Sequence, residues 1–203
     1  MVDQYYTEKP KSKLVFHEIG VSFLGETFSL FGASSVFGAK KIDKGTSLLI
    51  QSMRIEDGQE VLDLGCGMGV VGIVAKKVFP ECDVTFTDVN ERALFVTKKN
   101  LKKERLSAEI VKSDCYDALS EKMFDVILCN VPQRAGREVC LKIIRDASQY
   151  LKEGGSLQIV AVHKKGGKRL REEMGTVFGN VETLGKKAYF QVYSSVLDSS
   201  GNE

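Results

Sequence analysis

Short apolar runs alternate with amphipathic segments from residue 60 to the end of the chain. The apolar runs predict five strands, over residues 61–64, 84–87, 108–112, 124–129 and 157–162. Apolar positions spaced three and four residues apart predict helices over residues 70–78, 93–101 and 136–151, and a later one carrying Leu170, Met174 and Val177. Helices that alternate with nearly all-apolar strands indicate a parallel sheet covered on both faces.

The two ends of the chain follow a different pattern. Within residues 1–36 the apolar positions are interrupted by glycines, which predicts a small antiparallel β appendage with its turn at Gly25-Glu26. A short helix is expected from Asp43 to Asp57-Gly58, and residues 181–184 and 188–196 predict a terminal antiparallel pair. We therefore expect an α/β fold: a Rossmann-like, doubly wound, mostly parallel seven-stranded sheet with a terminal antiparallel strand and a small N-terminal β appendage.

The composition gives no sign of a polyanion-binding, metal-binding or membrane protein, and it does not identify a binding partner. Lys and Arg total 29 and Asp and Glu total 27, so the net charge of +2 does not indicate a polyanion-binding protein. The five cysteines form no CxxC pair and no histidine lies at metal-site spacing from them, so we expect free thiols and no metal site. With no signal peptide or membrane span evident, we expect a cytoplasmic monomer or homodimer with neither DNA nor a membrane as partner.

The segment from Glu60 to Gly69 carries the clearest chemical signal. A buried strand leads into glycines at positions 65, 67 and 69 and then directly into a helix. Glycines let the backbone turn sharply and approach a ligand closely, and a helix start offers free N–H groups. Gly67 to Gly72 also matches the dinucleotide fingerprint GxGxxG, with Asp88 near the distance of a ribose-binding acid. A tight strand-to-helix turn with no ligand is the remaining interpretation.

Three features favour S-adenosylmethionine over a dinucleotide. Asp63, at the end of the strand, could approach a cationic amino acid group but would repel a pyrophosphate. Gly65 extends the motif to GxGxG, a longer loop that can wrap a methionine. Asp114 follows the third strand, where a carboxylate can accept a hydrogen bond from an adenine amine. The sequence therefore predicts S-adenosylmethionine as the cofactor.

These segments resemble the class I methyltransferases, and within them the "methyltransferase small" group of archaeal proteins related to bacterial ribosomal RNA guanine-N2 methyltransferases. The similarity covers nearly the whole chain and is carried by residues 6–10, 36–37, 41–46, 61–69, 88–90, 113–114, 128–132 and 134–136. The resemblance implies an S-adenosylmethionine-dependent methyltransferase domain over residues 43–203, preceded by an appendage and cofactor flap over residues 1–42. The cofactor-binding residues that it implies are Lys41, Gly45, Thr46, Asp63, Gly65, Cys66, Gly67, Gly69, Asp88, Val89, Asp114, Cys115 and Asn130.

The segment from Asn130 to Gln133 departs from the pattern of that family. The pattern is Asn-Pro-Pro followed by an aromatic residue, whose ring stacks on a base while the Asn amide and the next carbonyl accept hydrogen bonds from an amine. Asn130 and Pro132 match, whereas Val131 replaces the first proline and Gln133 replaces the aromatic residue. The carbonyl of Val131 can still accept, so we take Asn130, Val131 and Pro132 as catalytic. Asn130 as an ordinary turn residue stays the alternative.

A stacking ring would then have to come from elsewhere in the chain, or the substrate is not a flat base. The candidates are Phe31, Phe37, Tyr189 and Phe190. A basic run from His163 to Arg169 follows the fifth strand and opens a helix, where cations oppose the helix dipole. Either it is a solvated face, or it contacts RNA phosphates together with neighbouring arginines. The expected RNA-contacting residues are Arg134, Arg137, Lys164, Lys165 and Lys168.

The sequence thus favours methyl transfer to an exocyclic amine of an RNA base, with guanine N2 in ribosomal or transfer RNA as the first hypothesis. Two alternatives stay open. One is methylation of a protein glutamine amide, and the other is a non-catalytic subunit that binds the cofactor or RNA.

Overall fold

A computed structural model of the chain describes residues 4–198. It begins with a two-stranded antiparallel hairpin of β1 (Phe16–Phe23) and β2 (Glu26–Ala33). The turn lies at Leu24-Gly25, one residue before the predicted position, and both residues have positive φ, 51° and 85°. Two positive φ angles in succession give the two-residue turn that matches the twist of paired strands.

Seven strands form the main sheet. They are β3 (Glu60–Leu64), β4 (Asp83–Asp88), β5 (Glu109–Lys112), β6 (Phe124–Asn130), β7 (Leu151–Val162), β8 (Glu182–Lys187) and β9 (Phe190–Val196), in the order β5-β4-β3-β6-β7-β9-β8. Strands β3 to β7 pair in parallel, and β9 is antiparallel to both β7 and β8. The predicted fold class is confirmed, including the N-terminal β appendage and the antiparallel strand near the C-terminus.

Within residues 4–198, five α-helices cover the sheet: α1 (Lys44–Ser52), α2 (Val70–Val78), α3 (Glu91–Lys103), α4 (Arg137–Ala147) and α5 (Gly167–Phe178). Successive strand residues point to opposite faces, and both faces are buried. Val61 packs with the core under α1, α2 and α3, whereas its neighbour Leu62 packs with the core under α4 and α5. This two-sided burial explains why the strands read as apolar runs rather than as alternating patterns.

A buried amide helps to attach the hairpin to the helical layer. Asn100 of α3 accepts a hydrogen bond from the Phe31 N–H (2.7 Å) and donates to the Phe31 carbonyl (2.9 Å), as an adjacent strand would. Phe28 and Leu30 of β2 are buried in the same core as α2 and α3. The hairpin therefore packs against the helical layer on the side of α1, α2 and α3. The predicted division into two parts at residue 42 stays a prediction.

Several element boundaries differ from the sequence prediction. α1 ends at Ser52, before the predicted end at Asp57-Gly58. α4 ends at Ala147, because β7 begins at Leu151, opposite Phe124, and not at the predicted residue 157. The turn before β9 lies at residues 188–189 instead of 185–187. Gly185 belongs to β8, where a Cβ atom would lie 2.2 Å from the Oγ atom of Ser52, so glycine there permits packing and not a turn.

The strand order reverses between β3 and β6. From β3 the chain moves outward to β4 and β5 and then returns to β6 on the other side of β3. The carboxyl ends of β3 and β6 therefore flank a crevice, which is where open α/β sheets bind ligands. The glycine loop and Asn130 both lie at this edge. No helix among residues 4–198 is long and apolar enough to cross a membrane.

Candidate active site

A cavity of about 280 Å³ opens at the carboxyl edge of the sheet. Its walls come from the glycine loop, from the ends of β4, β5 and β6, from the first turns of α4 and from the N-terminal segment. A smaller cavity adjoins it between the glycine loop and the start of α1, and Gly65, Gly67, Phe37 and Asn130 line both. The predicted cofactor loop and the predicted catalytic asparagine thus lie beside one space.

The three glycines of the loop all have left-handed backbone conformations, with φ of 70°, 58° and 82° at Gly65, Gly67 and Gly69. A Cβ atom at Gly65 would meet nothing within 4 Å, because this residue faces the open cavity. A Cβ atom at Gly69 would lie 2.8 Å from the side chain of Thr97. Gly69 therefore permits α2 to pack against α3, whereas Gly65 leaves space beside the loop for a ligand.

Two carboxyl groups support the loop, that of the buried Asp63 and that of the half-buried Asp88. Asp88 accepts hydrogen bonds from the backbone N–H groups of Gly67 (2.9 Å) and Asn90 (2.8 Å). Asp63 accepts one from Gly72 (2.9 Å) in the first turn of α2. Burial raises the pKa of Asp63 to about 7 and that of Asp88 to about 6, although the backbone hydrogen bonds oppose both shifts. The site therefore favours a ligand that brings hydrogen-bond donors or positive charge to these carboxylates.

The wall beside β4 and β5 contains further polar groups. Thr87 of β4 lines the cavity, and its Oγ1 atom is buried with no hydrogen-bond partner among residues 4–198. Val89, Asp114 and Cys115 line the same wall. Cys115 has a positive φ of 50°, and burial raises the pKa of its thiol to about 12, so the thiol stays protonated at neutral pH. The unpartnered hydroxyl of Thr87 is a position that a polar ligand atom can satisfy.

Asn130 is held by the start of α1. Its Nδ2 atom donates to the Oγ1 atom of Thr46 (2.8 Å) and to the Oδ2 atom of Asp43 (3.3 Å). The hydroxyl of Thr46 itself donates to Asp43, which also caps α1 by accepting from the Gly45 N–H (2.8 Å). Because the two amide donors are committed to α1, Oδ1 of Asn130 remains as the acceptor for another molecule.

Gln133 has a structural role at the position where the family has an aromatic residue. Its Oε1 atom accepts from the Val162 N–H (2.7 Å) and its Nε2 atom donates to the Lys165 carbonyl (2.7 Å). The side chain is therefore committed to the end of β7 and the 3₁₀ turn His163–Lys165, away from the cavity walls. Val131 and Pro132 do line the cavity, and Val131 is anchored by its N–H to the Val160 carbonyl (3.2 Å).

Other predicted site residues lie at different distances from the cavity. Thr46 and Cys66 line the smaller cavity with Asp63. Lys41 is exposed, and Gly45 lies against the ring of Phe190, with 2.8 Å between that ring and an added Cβ atom. These two residues line neither cavity, and their cofactor role stays a prediction. All five predicted RNA-contacting residues are exposed: Arg134, Arg137, Lys164, Lys165 and Lys168.

Of the four predicted stacking rings, Phe37 lines the cavity. Phe31 packs with Phe16 of β1, and Tyr189 is 72% exposed in the turn before β9. Sequence reasoning missed Tyr5 and Tyr6, which line the cavity together with Phe37. It also missed Thr87, for which a threonine within an apolar strand was the available signal.

Comparison with known proteins agrees with this geometry. The family described as "Methyltransferase small domain" matches residues 27–194. The chain is 35% identical over 166 residues to ribosomal RNA small subunit methyltransferase C of Hamiltonella defensa, covering 80% of this chain and 48% of that protein. It is 32% identical over 197 residues to the uncharacterized protein YbxB of Bacillus subtilis, covering 95% of this chain and 97% of that protein.

Among solved structures, the 16S rRNA N2 G1207 methyltransferase of T. thermophilus, in complex with AdoMet and guanosine, shares the fold. It superposes with a TM-score of 0.78 at 24% identity, covering 92% of this chain and 52% of that one. The present chain thus spans about half the length of the ribosomal RNA methyltransferase C relatives that it matches. By sequence match and fold, the chain belongs to the methyltransferase small domain family.

Proposed function

We propose that this protein transfers a methyl group from S-adenosylmethionine to an exocyclic amine of an RNA base, with guanine N2 in ribosomal or transfer RNA as the acceptor. One observation carries the proposal. The Nδ2 atom of Asn130 donates to Thr46 and Asp43, which leaves Oδ1 as the acceptor for a substrate at the rim of a cavity lined by the glycine loop. The Hamiltonella defensa and T. thermophilus relatives are both named as ribosomal RNA methyltransferases, which supports the same acceptor class.

The residues around the cavity fit this cofactor. Gly65 leaves open space beside the loop, Asp63 and Asp88 offer carboxylates, and the hydroxyl of Thr87 needs a partner. Asp63 with residues 65–67 would hold the methionine part, Asp88 and Val89 the ribose, and Asp114 and Cys115 the adenine. When bound, the cofactor supplies a methyl group activated by a positively charged sulfur.

The chain's own contribution is positioning. The Oδ1 atom of Asn130 accepts one hydrogen of a planar amine. The carbonyl of Val131, which already accepts from the Gln133 N–H (2.8 Å), accepts the other with its second lone pair, so the nitrogen lone pair is directed out of the plane of those bonds. Holding two reacting groups in this way lowers the activation barrier substantially, because the entropy of bringing them together is lost on binding and not in the reaction step. Excluding water from the cavity strengthens the hydrogen bonds that hold the amine. No dedicated base is needed, because a methylated ammonium releases its proton to water.

RNA would approach over the basic surface beside the cavity. Gln133 bonds the loop that follows Asn130 to the 3₁₀ turn, so Lys164 and Lys165 lie beside the rim of the cavity formed by Asn130, Val131 and Pro132, here called the catalytic rim. Arg137 and Lys168 form pairs with Glu138 (3.3 Å) and Glu172 (3.8 Å) that are well exposed to solvent. Such exposed pairs are weak, so both cations can exchange their partner for a phosphate.

A protein glutamine amide is the second candidate acceptor, and one observation favours it. The loop from Asn130 to Gln133 carries no aromatic ring, and a glutamine amide presents the same planar NH₂ group without needing a stacked base. A cytoplasmic location belongs to the proposal as well, since all five cysteines are free. The proposal also includes a monomeric or homodimeric state and a division between the appendage and the catalytic domain near residue 42.

The test is the destination of a labelled methyl group. The protein is incubated with methyl-labelled S-adenosylmethionine and an extract from cells lacking it, and RNA is separated from protein by phenol extraction. We expect the label in RNA, and none with an Asn130→Ala control. Label in protein would support the glutamine alternative, whereas cofactor binding without transfer to either fraction would support a non-catalytic subunit.

A further inference from the structure

The N-terminal segment forms an aromatic wall over the mouth of the cavity. The ring of Tyr5 lies 5.1 Å from that of Tyr6 and 5.1 Å from that of Phe37, measured between ring centroids. All three residues line the cavity, and among residues 4–198 they are the ones that bring aromatic rings to it. We call Tyr5, Tyr6 and Phe37 the aromatic wall.

The wall is held in place by the start of α3. Asn90, which is fully buried, donates from Nδ2 to the carbonyls of Tyr5 (2.8 Å) and Ser35 (2.9 Å) and accepts from the first turn of α3 with Oδ1. The Glu91 N–H donates to the Glu8 carbonyl (3.0 Å), and Lys112 forms an ion pair with the Glu8 carboxylate (2.6 Å). Both pieces of chain that carry the wall are thus fixed to the start of α3, and the first piece is also fixed to the end of β5.

The wall also extends to the catalytic rim. Tyr5 lines the cavity together with Asn130, Val131 and Pro132. Burial raises the pKa of its phenol, and the positive charge of Arg134 opposes that rise. Tyr6 and Phe37 nevertheless keep 37% and 36% of their surface exposed. Large aromatic surface that lines a cavity and stays open to solvent is available for a flat ligand.

We propose that the aromatic wall stacks the flat acceptor base beside Asn130, and that the acceptor is an unpaired purine presented by a single-stranded part of RNA. This inference rests on the proposed function and names the residues that recognise its substrate. A base taken out of its helical stack loses its neighbours, and aromatic side chains replace them. Gln133 cannot do so, because its side chain is bonded to the end of β7.

The test uses guanosine as the probe, titrated into the cofactor-loaded protein and followed by proton NMR. Stacking shifts the base protons upfield through the ring currents, an effect that a purely structural role would not produce. We expect Tyr6→Ala to weaken guanosine binding by about tenfold to a hundredfold and to abolish the upfield shift. Tyr6→Phe should retain both, and Tyr189→Ala, which removes an exposed tyrosine outside the cavity, serves as the matched control.

Three outcomes would contradict the stacking role of the aromatic wall. The first is wild-type guanosine affinity in both Tyr6→Ala and Tyr5→Ala, and the second is a loss of S-adenosylmethionine affinity in these variants as large as the loss of guanosine affinity. The third is binding of N-acetylglutaminamide in preference to guanosine. The proposed function is tested separately. If Tyr6→Ala methylates RNA with unchanged KM and kcat, the stacking role of the wall is wrong and the proposed function stands. If the wild-type protein shifts the guanosine signals but transfers no methyl group to RNA, the stacking role stands and the proposed function is wrong.

Discussion

The amide of Asn130 donates to the hydroxyl of Thr46 across 2.8 Å, although the two residues are 84 positions apart in the chain. A hydroxyl has one hydrogen, and that of Thr46 is given to the carboxylate of Asp43. Thr46 must therefore accept from Asn130, which fixes which end of the amide faces α1 and which end faces the cavity. The first turn of a helix and its N-cap thus determine the orientation of the Asn130 amide.

Thr46→Val keeps the shape of the side chain but removes this acceptor. We expect the methylation rate at saturating substrates to fall by on the order of tenfold to a hundredfold, because a rotated amide no longer orients the amine. Affinity for S-adenosylmethionine, measured by calorimetry, should change little. Thr46→Ser should restore the rate. A variant with normal turnover and weak cofactor binding would instead support the role in the cofactor flap that the sequence predicts.

Gly65→Ala tests whether the space beside the loop belongs to the cofactor. Its φ of 70° strains an alanine by about 1–2 kcal/mol, but the new methyl group meets no protein atom within 4 Å. Gly58→Ala is a matched control, because its φ is 83° and its surroundings are equally open, in the turn before β3. We expect both variants to lose similar stability in urea unfolding and only Gly65→Ala to lose cofactor binding. Equal cofactor affinity in the two variants would place the cofactor elsewhere.

The charge of Asp63 should lower the stability of the cofactor-free protein and strengthen cofactor binding, and both effects should depend on pH. Its pKa rises from 3.8 to about 7 in the folded protein, so folding takes up a proton between these values and the stability contributed by Asp63 falls as the pH rises from about 4 to 7. Asp63→Asn can still accept from the Gly72 N–H without a charge. We expect the variant, free of cofactor, to exceed the wild type in free energy of unfolding at pH 8, by a margin that narrows at pH 5.

The same Asp63→Asn protein should bind the positively charged cofactor more weakly than the wild type at pH 8. Urea unfolding and calorimetry at the two pH values measure both effects. A stability difference that stays the same at pH 5 and pH 8 would show that Asp63 is not the titrating group. Unchanged affinity at pH 8 would show that its charge does not face the cofactor.

Replacing Lys164, Lys165 and Lys168 by Ala should weaken RNA binding and flatten its dependence on salt, since each phosphate contact adds to that slope. Single-turnover rates at saturating RNA should change little. The control removes the same charge from α3, with Lys98, Lys99 and Lys102 replaced by Ala. An equal loss of affinity in both triple variants would indicate a general effect of net charge, and no loss in either would leave the basic surface without an RNA role.

The strands and the glycine loop could be predicted because their signals are local. A run that is apolar at all but one position, such as residues 124–129, fits few places in a small α/β protein other than a buried strand, and glycines at alternate positions after a strand permit few backbone paths. Leu151 was assigned to a helix for the same reason. It continues the spacing of Ile144 and Ala147, and only pairing with Phe124, 27 residues earlier, reveals that it begins β7.

Of the aromatic wall, Phe37 was among the predicted stacking rings, but Tyr5 and Tyr6 could not be predicted, because nothing near them in the sequence determines where they lie. Their segment has no periodic pattern, and its position depends on bonds to Asn90 and Arg92, 80 or more residues later. The role of Gln133 was hidden in a similar way. Its substitution for an aromatic residue was evident, but its partners in β7 and the following turn depend on tertiary structure.

The central claim is methyl transfer to the exocyclic amine of guanine in RNA. It is tested most directly by digesting RNA to nucleosides after incubation with the protein and methyl-labelled S-adenosylmethionine, and identifying the labelled nucleoside by mass spectrometry. The RNA comes from cells that lack the protein, and Asn130→Ala serves as the inactive control. We predict that the label appears in N2-methylguanosine with the wild type alone. Label in any nucleoside methylated on carbon or on the ribose, or equal labelling by Asn130→Ala, would contradict the account.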